Sequence, residues 1–539
     1  MRHRKLIIPL LLILSLPLFC KQERPLTVPE ESLYKRTSTS EEVMAFLQNL
    51  QKRDPKRMKL TLLTYSTERE RIPLVIFSRQ GVSSPEEMRK LGLRAVLIAA
   101  NIHAGEVEGK EASLIFLREL VEAPDSQFLE GQVLLFLPLF NRDGNDKWGV
   151  ERRRDDGPES AGVRFNGQGL DLNRDFVKLE SPEVGALVER VFVPWDPILY
   201  IDMHTTNGSY HRHPVTYSPQ VIPQGDKSLQ EYMWKKMLPE VAGEMRREGI
   251  DAVPYGNFLD RRDPEKGWLN EAFLGRYSNN YYGLRNRFAL LDENYSYAPF
   301  EVRIRGAHAL LKALLGYTAR HGEEMERAAR RADREAMESL AGREFGLLFE
   351  PEETMKFDLK SFPFRLEEDK SVQPSRFRMV KQEGERVYHL PLLATYKAVK
   401  STRLPGEGYL LPPSQEPAAR LLKRHGVAVE RLEEGGVWRV RSLRLTGVTP
   451  SSQLYQGHYI NKIEGEEEEK EISFPKGSFF VPLAQPLSRL AAYMLEPLNP
   501  DGLGAWNFFD RVLVKEWEGL WIYPVYKVDV PVVGLREPL

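Results

Sequence analysis

The stretch RAVLIAANIHAGEVEGKEASLIFLREL, residues 94–120, runs from an apolar segment to a helical pattern across a short polar break. Residues 94–100 are almost all apolar, as in strands that are buried on both faces. After residue 107 the apolar side chains recur at helical spacing. His103 and Glu106 lie in the break between the two elements. Ligands of open α/β sheets bind beyond the carboxyl ends of strands, so this break is a candidate site.

The same alternation of short apolar strands and helical segments continues over residues 59–318. The strand candidates are KLTLLTYS (59–66), PLVIFSR (73–79), RAVLIAA (94–100), QVLLFLPLF (132–140), PILYIDM (197–203) and RFALLDE (287–293). Helical stretches fall between several of them, and SEEVMAFLQNLQKR (40–53) is a helix candidate upstream. This order predicts an α/β fold with a mixed, largely parallel sheet flanked by helices.

The rest of the chain is organised differently. Residues 21–58 form an N-terminal segment, residues 319–344 a charged helical linker, and residues 345–539 a separate C-terminal α+β region of unknown role, rich in Pro and Gly. Within that region we expect a strand–helix–strand unit at 408–432. The like-charge run EGEEEEKE (464–471) indicates a hairpin tip or a loop.

Composition sets limits on the class of protein. Hydrophobic residues make up 42% of the 539 residues and charged residues 28%, with a formal net charge of −1. This is an ordinary globular composition with room for two to four domains of about 150 residues each. The balanced charge provides no overall basic field for binding nucleic acid. The oligomeric state stays open.

The N-terminus resembles an export signal. A basic start, MRHRK, precedes an apolar run at residues 6–19, which is shorter than the about 20 residues that span a bilayer. Cys20 follows it and is the only cysteine, so an intrachain disulfide is excluded. The pattern resembles a bacterial lipoprotein signal (1–20), in which Cys20 becomes the lipidated, membrane-anchored N-terminus of an envelope protein, periplasmic or at the cell surface. Phe19 departs from the small residue preferred there, and a plain signal peptide or an uncleaved anchor is the alternative.

Further polar groups follow other predicted strands. NRDG (141–144), His204 and Glu293 each stand at the end of an apolar run, and together with His103 and Glu106 they would meet on one rim of the sheet. Two histidines and one carboxylate are a common ligand set for catalytic zinc, with a fourth position left for water. Each piece alone has a plainer interpretation: a chance HxxE, a structural histidine, or a helix cap or surface carboxylate.

The combined order resembles the zinc carboxypeptidases of the carboxypeptidase A type. The matching motifs are His103-x-x-Glu106, Asn141-Arg-Asp-Gly144, Asp171-Leu-Asn-Arg174, His204 and Glu293. The resemblance covers residues 59–318, which would form the catalytic domain, and leaves the last 200 residues unexplained. It implies one Zn²⁺ per chain bound by His103, Glu106 and His204, with Glu293 as general base and acid.

The resemblance also implies substrate contacts. Asn173 and Arg174 would bind a terminal carboxylate, since a guanidinium matches it as a planar bidentate donor. Asp171 would not bind the metal itself but would orient the ligands through a hydrogen bond. Arg164 would hold the oxyanion, with the cluster Arg152–Arg154 as the alternative. Tyr282 is assigned to substrate binding, although Tyr277, Tyr281 and Tyr282 all lack the expected spacing. We expect His211 and His213 at the pocket rim or surface.

The leading hypothesis is a zinc metallocarboxypeptidase that hydrolyses a peptide bond near a free C-terminal carboxylate. One alternative keeps the site but acts as an amidase or deacylase on cell-wall peptides. Another is a surface-binding lipoprotein built on an inactive peptidase scaffold. The presence of Asn173 and Arg174 favours a substrate with a free carboxylate, and the complete ligand set with Glu293 argues against an inactive scaffold.

Overall fold

A computed structural model of the chain describes residues 24–149, 156–371, 376–513 and 521–539. The predicted signal segment with Cys20, and the cluster Arg152–Arg154, lie outside these ranges. Among the described helices, none has both the length and the apolarity needed to cross a bilayer.

Ten strands precede a long helix that ends at Ser339. They are β1 (Met58–Tyr65), β2 (Arg71–Phe77), β3 (Arg94–Ala100), β4 (Gln132–Leu137), β5 (Leu199–Thr206), β6 (Val215–Pro219), β7 (Ala252–Pro254), β8 (Asn257–Phe258), β9 (Trp268–Leu269) and β10 (Phe288–Tyr295). Eight of them form one sheet in the order β1-β2-β4-β3-β5-β10-β6-β7. The central pairs β4-β3, β3-β5 and β5-β10 are parallel, and β1, β2 and β6 introduce antiparallel pairs. The predicted α/β fold with a mixed sheet is confirmed.

The described residues form thirteen α-helices, some of which cover the two faces of this sheet. In chain order they are α1 (Val28–Glu31), α2 (Ser40–Arg53), α3 (Pro85–Lys90), α4 (Glu108–Glu122), α5 (Arg142–Asn145), α6 (Pro182–Leu187), α7 (Val193–Trp195), α8 (Lys227–Tyr232), α9 (Leu238–Arg247), α10 (Ser278–Leu284), α11 (Phe300–Ser339), α12 (Glu416–Arg424) and α13 (Ser488–Leu495). Two π-helical turns, Val188–Phe192 and Met233–Met237, join α6 to α7 and α8 to α9. Helix α2 starts where the sequence indicates, because Thr39 and Glu42 form a capping box.

Helix α11 is continuous over 40 residues. Its second half contains the charged segment predicted as a linker, and its first half packs under the sheet through Leu310 and Leu314. The apolar stripe continues past the predicted limit at residue 318 through buried Met325 and Ala332. The limits proposed for the domains stay a prediction.

The chain after α11 adds eleven strands. They are β11 (Glu344–Ser361), β12 (Phe364–Glu368), β13 (Phe377–Lys381), β14 (Arg386–Arg403), β15 (Gly408–Leu411), β16 (Glu430–Leu432), β17 (Gly436–Pro450), β18 (Asn461–Phe474), β19 (Phe479–Pro482), β20 (Tyr526–Val528) and β21 (Arg536–Pro538). Strands β12 and β13 form a hairpin of their own, while β11 and β14 join β9 and β8 in a four-stranded sheet. Seven others form the antiparallel sheet β18-β17-β20-β15-β19-β16-β21. The predicted strand–helix–strand unit is present as β15, α12 and β16.

The acidic run EGEEEEKE is a strand, so its prediction as a tip or loop is wrong. It lies inside β18 and pairs along its length with β17. Arginines on β17 face the glutamates across the ladder, and Arg441 Nη1 lies 3.0 Å from Glu467 Oε2. Similar pairs join Arg439 to Glu469 and Arg444 to Glu466. Opposite charges on facing strands stabilise a sheet that the acidic run alone would destabilise.

The real tip of this hairpin is residues 451–460, called the hairpin tip below. Ser451 N donates to Ile460 O, and Tyr455 and His458 exchange backbone hydrogen bonds across the turn. Gln456 and Gly457 have φ values of 52° and 81°, as expected for the two central residues of a type I′ turn. The hairpin tip contacts residues 171–180 of the first region.

Candidate active site

The end of β3 creates the space for the site. Ala100, its last residue, pairs with Met203 of β5, but β5 continues to Thr206. Asn101 has a left-handed φ of 66°, which turns the chain out of the strand. The loop that follows therefore crosses the carboxyl edge of the sheet and carries His103 and Glu106 against His204.

These three side chains form a compact buried cluster. Nδ1 of His103 lies 3.0 Å from Oε1 of Glu106, and Nδ1 of His204 lies 2.9 Å from Oε2 of Glu106. The two Nδ1 atoms are 3.2 Å apart. Ligand atoms in a tetrahedron around zinc, at bond lengths of about 2.0–2.1 Å, are about 3.3 Å from each other. Within the described part of the chain, this is the one group of three or more His, Cys, Asp or Glu side chains arranged to hold a metal.

The far nitrogens of both imidazoles face carboxylates. His103 Nε2 lies 2.9 Å from Asp171 Oδ1, and His204 Nε2 lies 2.8 Å from Asp202 Oδ2. When each Nε2–H donates to its carboxylate, a neutral ring keeps its lone pair on Nδ1. Two lone pairs and the Glu106 carboxylate then converge, an arrangement that a bound cation would stabilise.

The charges lead to the same requirement. Glu106, Asp171 and Asp202 are buried carboxylates, and a divalent cation together with the Arg164 guanidinium would balance them. If no metal is bound, protons on the imidazoles supply the positive charge instead. Burial lowers the pKa of His204, but Asp202 and Glu106 outweigh burial and raise this pKa well above its usual range. Burial acts to raise the pKa of Glu106, yet His103 and His204 hold it far below normal. The donor set thus fits zinc.

Arg164 reaches the cluster through Asp171. Its Nε donates to Asp171 Oδ2 at 2.8 Å, and Nη1 lies 3.3 Å from Glu106 Oε1. The loop that carries it is held by Asn141 of the NRDG turn, whose Nδ2 donates to Arg164 O at 3.0 Å. The side chain keeps 27% of its surface exposed, so it can contact a ligand that binds beside the cluster.

Glu293 lies on the strand beside His204. β10 pairs in parallel with β5, and Glu293 is directly opposite His204 in the register. Register partners of a pleated sheet project to the same face, from strands about 4.8 Å apart. Glu293 is half-buried, and it therefore faces the cluster without being one of the three ligands.

Asn173 and Arg174 occupy a short 3₁₀ turn that Asp171 caps. Asn173 is buried, and its Oδ1 accepts a hydrogen bond from Ser278 N at 2.8 Å. Arg174 donates to Asn173 O at 2.8 Å, and its guanidinium lies 4.4 Å from the centre of the Tyr277 ring. With a fifth of its side chain exposed, Arg174 is the more accessible member of the pair.

Comparison with known proteins agrees with this geometry. Residues 43–220 match the family model described as zinc carboxypeptidase. These residues are the part of the chain that is similar to the zinc carboxypeptidases. The chain is an enzyme of the hydrolase class, and the match supports a metallocarboxypeptidase function.

Individual relatives are distant. Carboxypeptidase 2 of Trichophyton tonsurans is 23% identical over 486 residues, covering 86% of this chain and 81% of that protein. A metallo-carboxypeptidase from Burkholderia cenocepacia is a structural neighbour with a TM-score of 0.40 and 16% identity, covering 54% of this chain and 71% of that one. Carboxypeptidase A from Helicoverpa armigera has a TM-score of 0.39 and 17% identity, covering 56% and 75%.

The prediction that Tyr282 binds substrate is wrong. Its side chain is fully buried and its hydroxyl donates to Pro197 O at 2.5 Å. Its ring packs against Phe192 and Tyr200 on the face of the sheet away from α4 and α11. Helix α10 turns this tyrosine into the core, whereas Tyr277, at the N-cap of α10, lies over Arg174.

His211 and His213 are also placed differently from the expectation. Both are 2% exposed, so they lie neither at a rim nor on the surface. The His211 ring stacks on Tyr295 at 3.7 Å between centroids, and His213 Nε2 accepts a hydrogen bond from Lys360 N. Strand β11 covers this loop, which explains the burial. The motif itself contains no information about that strand.

Three residues at or near the site belong to none of the motifs quoted in the sequence analysis. Asp202 could have been found, because an acid two residues before His204 on a buried strand must share its face. Tyr455 and Gln456 could not, since they come from the hairpin tip almost 300 residues after Asp171. Gln456 Oε1 accepts a hydrogen bond from Asp171 N at 2.8 Å.

Proposed function

We propose that the chain hydrolyses the peptide bond next to a free C-terminal carboxylate, with one zinc ion per chain bound by His103, Glu106 and His204. The observation that carries this proposal is the convergence of the two Nδ1 atoms on the Glu106 carboxylate within 3.2 Å. Zinc bound there would supply Lewis acidity and lower the pKa of a coordinated water to about 7.

Glu293 moves the proton. Its carboxylate projects from the strand beside His204, on the face of the cluster. It accepts a proton from the attacking water and delivers it to the leaving amine. A carboxylate that is not a ligand suits this work, because it does not have to leave the metal in order to accept a proton.

Arg164 stabilises the oxyanion that forms on the scissile carbonyl. The guanidinium is already oriented by Asp171, which fixes Nε while leaving Nη1 directed at the cluster. A donor held in place before the reaction stabilises the developing charge without reorganisation. Asp171 therefore orients both His103 and Arg164.

Arg174, supported by Asn173, binds the terminal carboxylate of the substrate. Tyr277 holds one face of the guanidinium, and the hydrogen bond to Asn173 O fixes Nη1. The remaining N–H groups are donors in a planar array that matches a carboxylate. This geometry supports removal of the last residue of a peptide.

A peptide panel tests the proposal. Matched peptides with free or amidated C-termini, and murein-type stem peptides, are incubated with wild type, Arg174→Lys and the control Arg305→Lys, a surface arginine that pairs with Glu301. We expect wild type to prefer free carboxylates by at least about 100-fold, the control to match it, and Arg174→Lys to lose most of the preference. Equal cleavage of amidated peptides would instead support an amidase or deacylase. No cleavage by zinc-loaded protein would support a binding scaffold.

We also propose export and lipid anchoring through Cys20. The support is the sequence alone: a basic start, a short apolar run and the single cysteine directly after it. Expression in a bacterium with labelled palmitate, followed by fractionation, tests this. Wild type should carry label in the envelope fraction, and Cys20→Ala should lose the label.

A further inference from the structure

The hairpin tip of β17 and β18 touches the active-site segment at two separated points. The first is at Asp171, whose backbone N donates to Gln456 Oε1 at 2.8 Å. Asp171 is the residue whose two carboxylate oxygens hold His103 and Arg164. Gln456 therefore contacts the backbone of the group that orients both.

The second contact is at the far end of the same segment. His458 Nε2 lies 2.9 Å from Glu180 Oε1, and Nδ1 lies 2.9 Å from Asn507 Oδ1. Asn507 Nδ2 donates to Tyr459 O, which orients its Oδ1 toward the histidine. One turn of the C-terminal region thus holds both ends of residues 171–180, the segment that carries Asn173 and Arg174.

Tyr455 precedes Gln456 in the hairpin tip and lies among arginines. The Arg276 guanidinium lies 5.3 Å from the centre of its ring and is ion-paired with buried Asp501. Burial lowers the pKa of Arg174, but Asp171, Tyr277 and Tyr455 outweigh burial and raise it. Tyr455 is half-buried, so part of its side chain is accessible to a ligand.

The backbone at Gln456 supports a specific task for its side chain. The first central position of a type I′ turn requires a positive φ and favours Asn, Asp or Gly. Gln456 adopts φ 52° there, where Asn would fit the turn better. Asn is one methylene shorter, so it could not place its amide oxygen where Gln456 meets Asp171 N. A residue unfavourable for the turn but suited to the contact indicates that the contact matters.

We propose that two residues of the hairpin tip contribute to the active site: Gln456 is a positioning residue that acts through Asp171, and Tyr455 lies beside Arg174 where the end of the substrate would bind. As far as it concerns substrate, this rests on the proposed function. It assigns the C-terminal region a direct part in recognising the end of the peptide.

Gln456→Asn separates the turn from the contact, because it keeps or improves the turn and removes the reach to Asp171. Gln453→Asn is the matched control, an exposed glutamine of the same tip. Gln456→Glu keeps an acceptor oxygen at the original length and tests rescue. The measurements are hydrogen exchange of residues 171–180, the melting temperature, and kcat and KM on a peptide with a free C-terminus.

We expect Gln456→Asn to exchange faster at 171–180 and to lose about tenfold in kcat/KM, mostly through KM, at an unchanged melting temperature. Gln456→Glu should restore exchange protection. Tyr455→Ala should raise KM for free-carboxylate peptides and leave exchange at Asp171 unchanged. If Gln456→Asn matches Gln453→Asn in both exchange and kinetics, the proposal is overturned. If wild type itself does not cleave such peptides, the proposed function fails, and the exchange result alone decides whether Gln456 positions Asp171.

Discussion

The two halves of the molecule present their chemistry in opposite ways. In residues 24–339 the reactive groups follow buried strands and sit in short motifs at one edge of the sheet. In residues 344–539 the long strands carry alternating charges, and the groups that reach the site come from a turn without a motif. The described part of the second half contains no group of three metal-binding side chains. Under the two proposals above, the first half supplies the reacting groups and the second half holds them in position.

The sharpest test of this division is Glu293→Gln, because it removes a base and keeps the shape. If the first half performs the chemistry, kcat should fall on the order of 10³-fold with zinc content unchanged. The matched change in the second half is Glu469→Gln, which removes an exposed partner of Arg439 on β18. That control should keep wild-type kcat. Zinc analysis and steady-state kinetics on both variants check this, and a Glu293→Gln enzyme with normal turnover would contradict the assigned base.

Asp501→Ala tests the ion pair between Asp501 of the second half and Arg276 of the first half. Asp501 Oδ1 accepts from Arg276 Nε at 2.8 Å and from Trp506 Nε1 at 2.9 Å, and Oδ2 accepts from Tyr493 at 2.8 Å. Removing this buried carboxylate leaves the Arg276 charge without its partner, which typically costs about 3–5 kcal/mol.

The matched control for Asp501→Ala is Asp358→Ala, since Asp358 is an exposed carboxylate on β11 that pairs with His389. Its loss should cost less than about 1 kcal/mol. Urea unfolding of both variants measures the difference. Equal midpoints would show that the two halves do not depend on this ion pair.

Much of the first half follows from its sequence for a physical reason. Strands buried on both faces must be apolar throughout, so β3 was predicted residue for residue, and the capping box fixed the start of α2. The resemblance based on the order of the motifs predicted that five residues share one site, and the structure places them in contact: His103, Glu106, His204, Asp171 and Arg164. Strand β5 extends through His204 rather than ending before it, because β10 continues to pair with it as far as Thr206.

The second half resists the same reasoning because its determinants are pairwise and distant. The acidic run in β18 is a strand only because arginines of β17 face it. The same limit appears in the first half at Tyr281 and Tyr282, whose rings enter the core because they pack against Phe192. The contact of Gln456 with Asp171 joins residues that no local spacing relates.

Glu183→Gln tests whether the first half carries a stability cost at neutral pH. Burial raises the pKa of Glu183 from 4.5 to about 7. The folded state therefore binds more protons than the unfolded chain between these values, and stability falls as pH rises from 4.5 through 7. Glutamine removes this loss, so the variant should be more stable than wild type by about 3 kcal/mol at pH 8 and nearly equal at pH 4.5.

Glu301→Gln is the control for Glu183→Gln, because it changes a carboxylate that lies on the exposed side of α11 and pairs with Arg305. Denaturant unfolding at pH 4.5, 6 and 8 should show a flat difference for the control. A flat difference for Glu183→Gln as well would mean that Glu183 is ionised in the folded state at all three values.

His458→Gln is the smallest and most local test, because it concerns only how the hairpin tip is held. The hydrogen bond to Glu180 raises the pKa of His458, with burial opposing it. A raised folded pKa means that the stabilisation is complete below the unfolded pKa of 6.5 and is lost as pH rises through the folded value. At pH 6 the variant should be less stable by about 1 kcal/mol, a small value because the contact is partly exposed.

At pH 9 the difference should vanish, while the control His389→Gln, which changes an exposed pair, should show little change in stability at either pH. If the effect of His458→Gln on stability does not depend on pH, the His458 imidazole is neutral in the folded protein. The contact of Gln456 with Asp171, rather than a charged contact of His458, then holds the hairpin tip against residues 171–180.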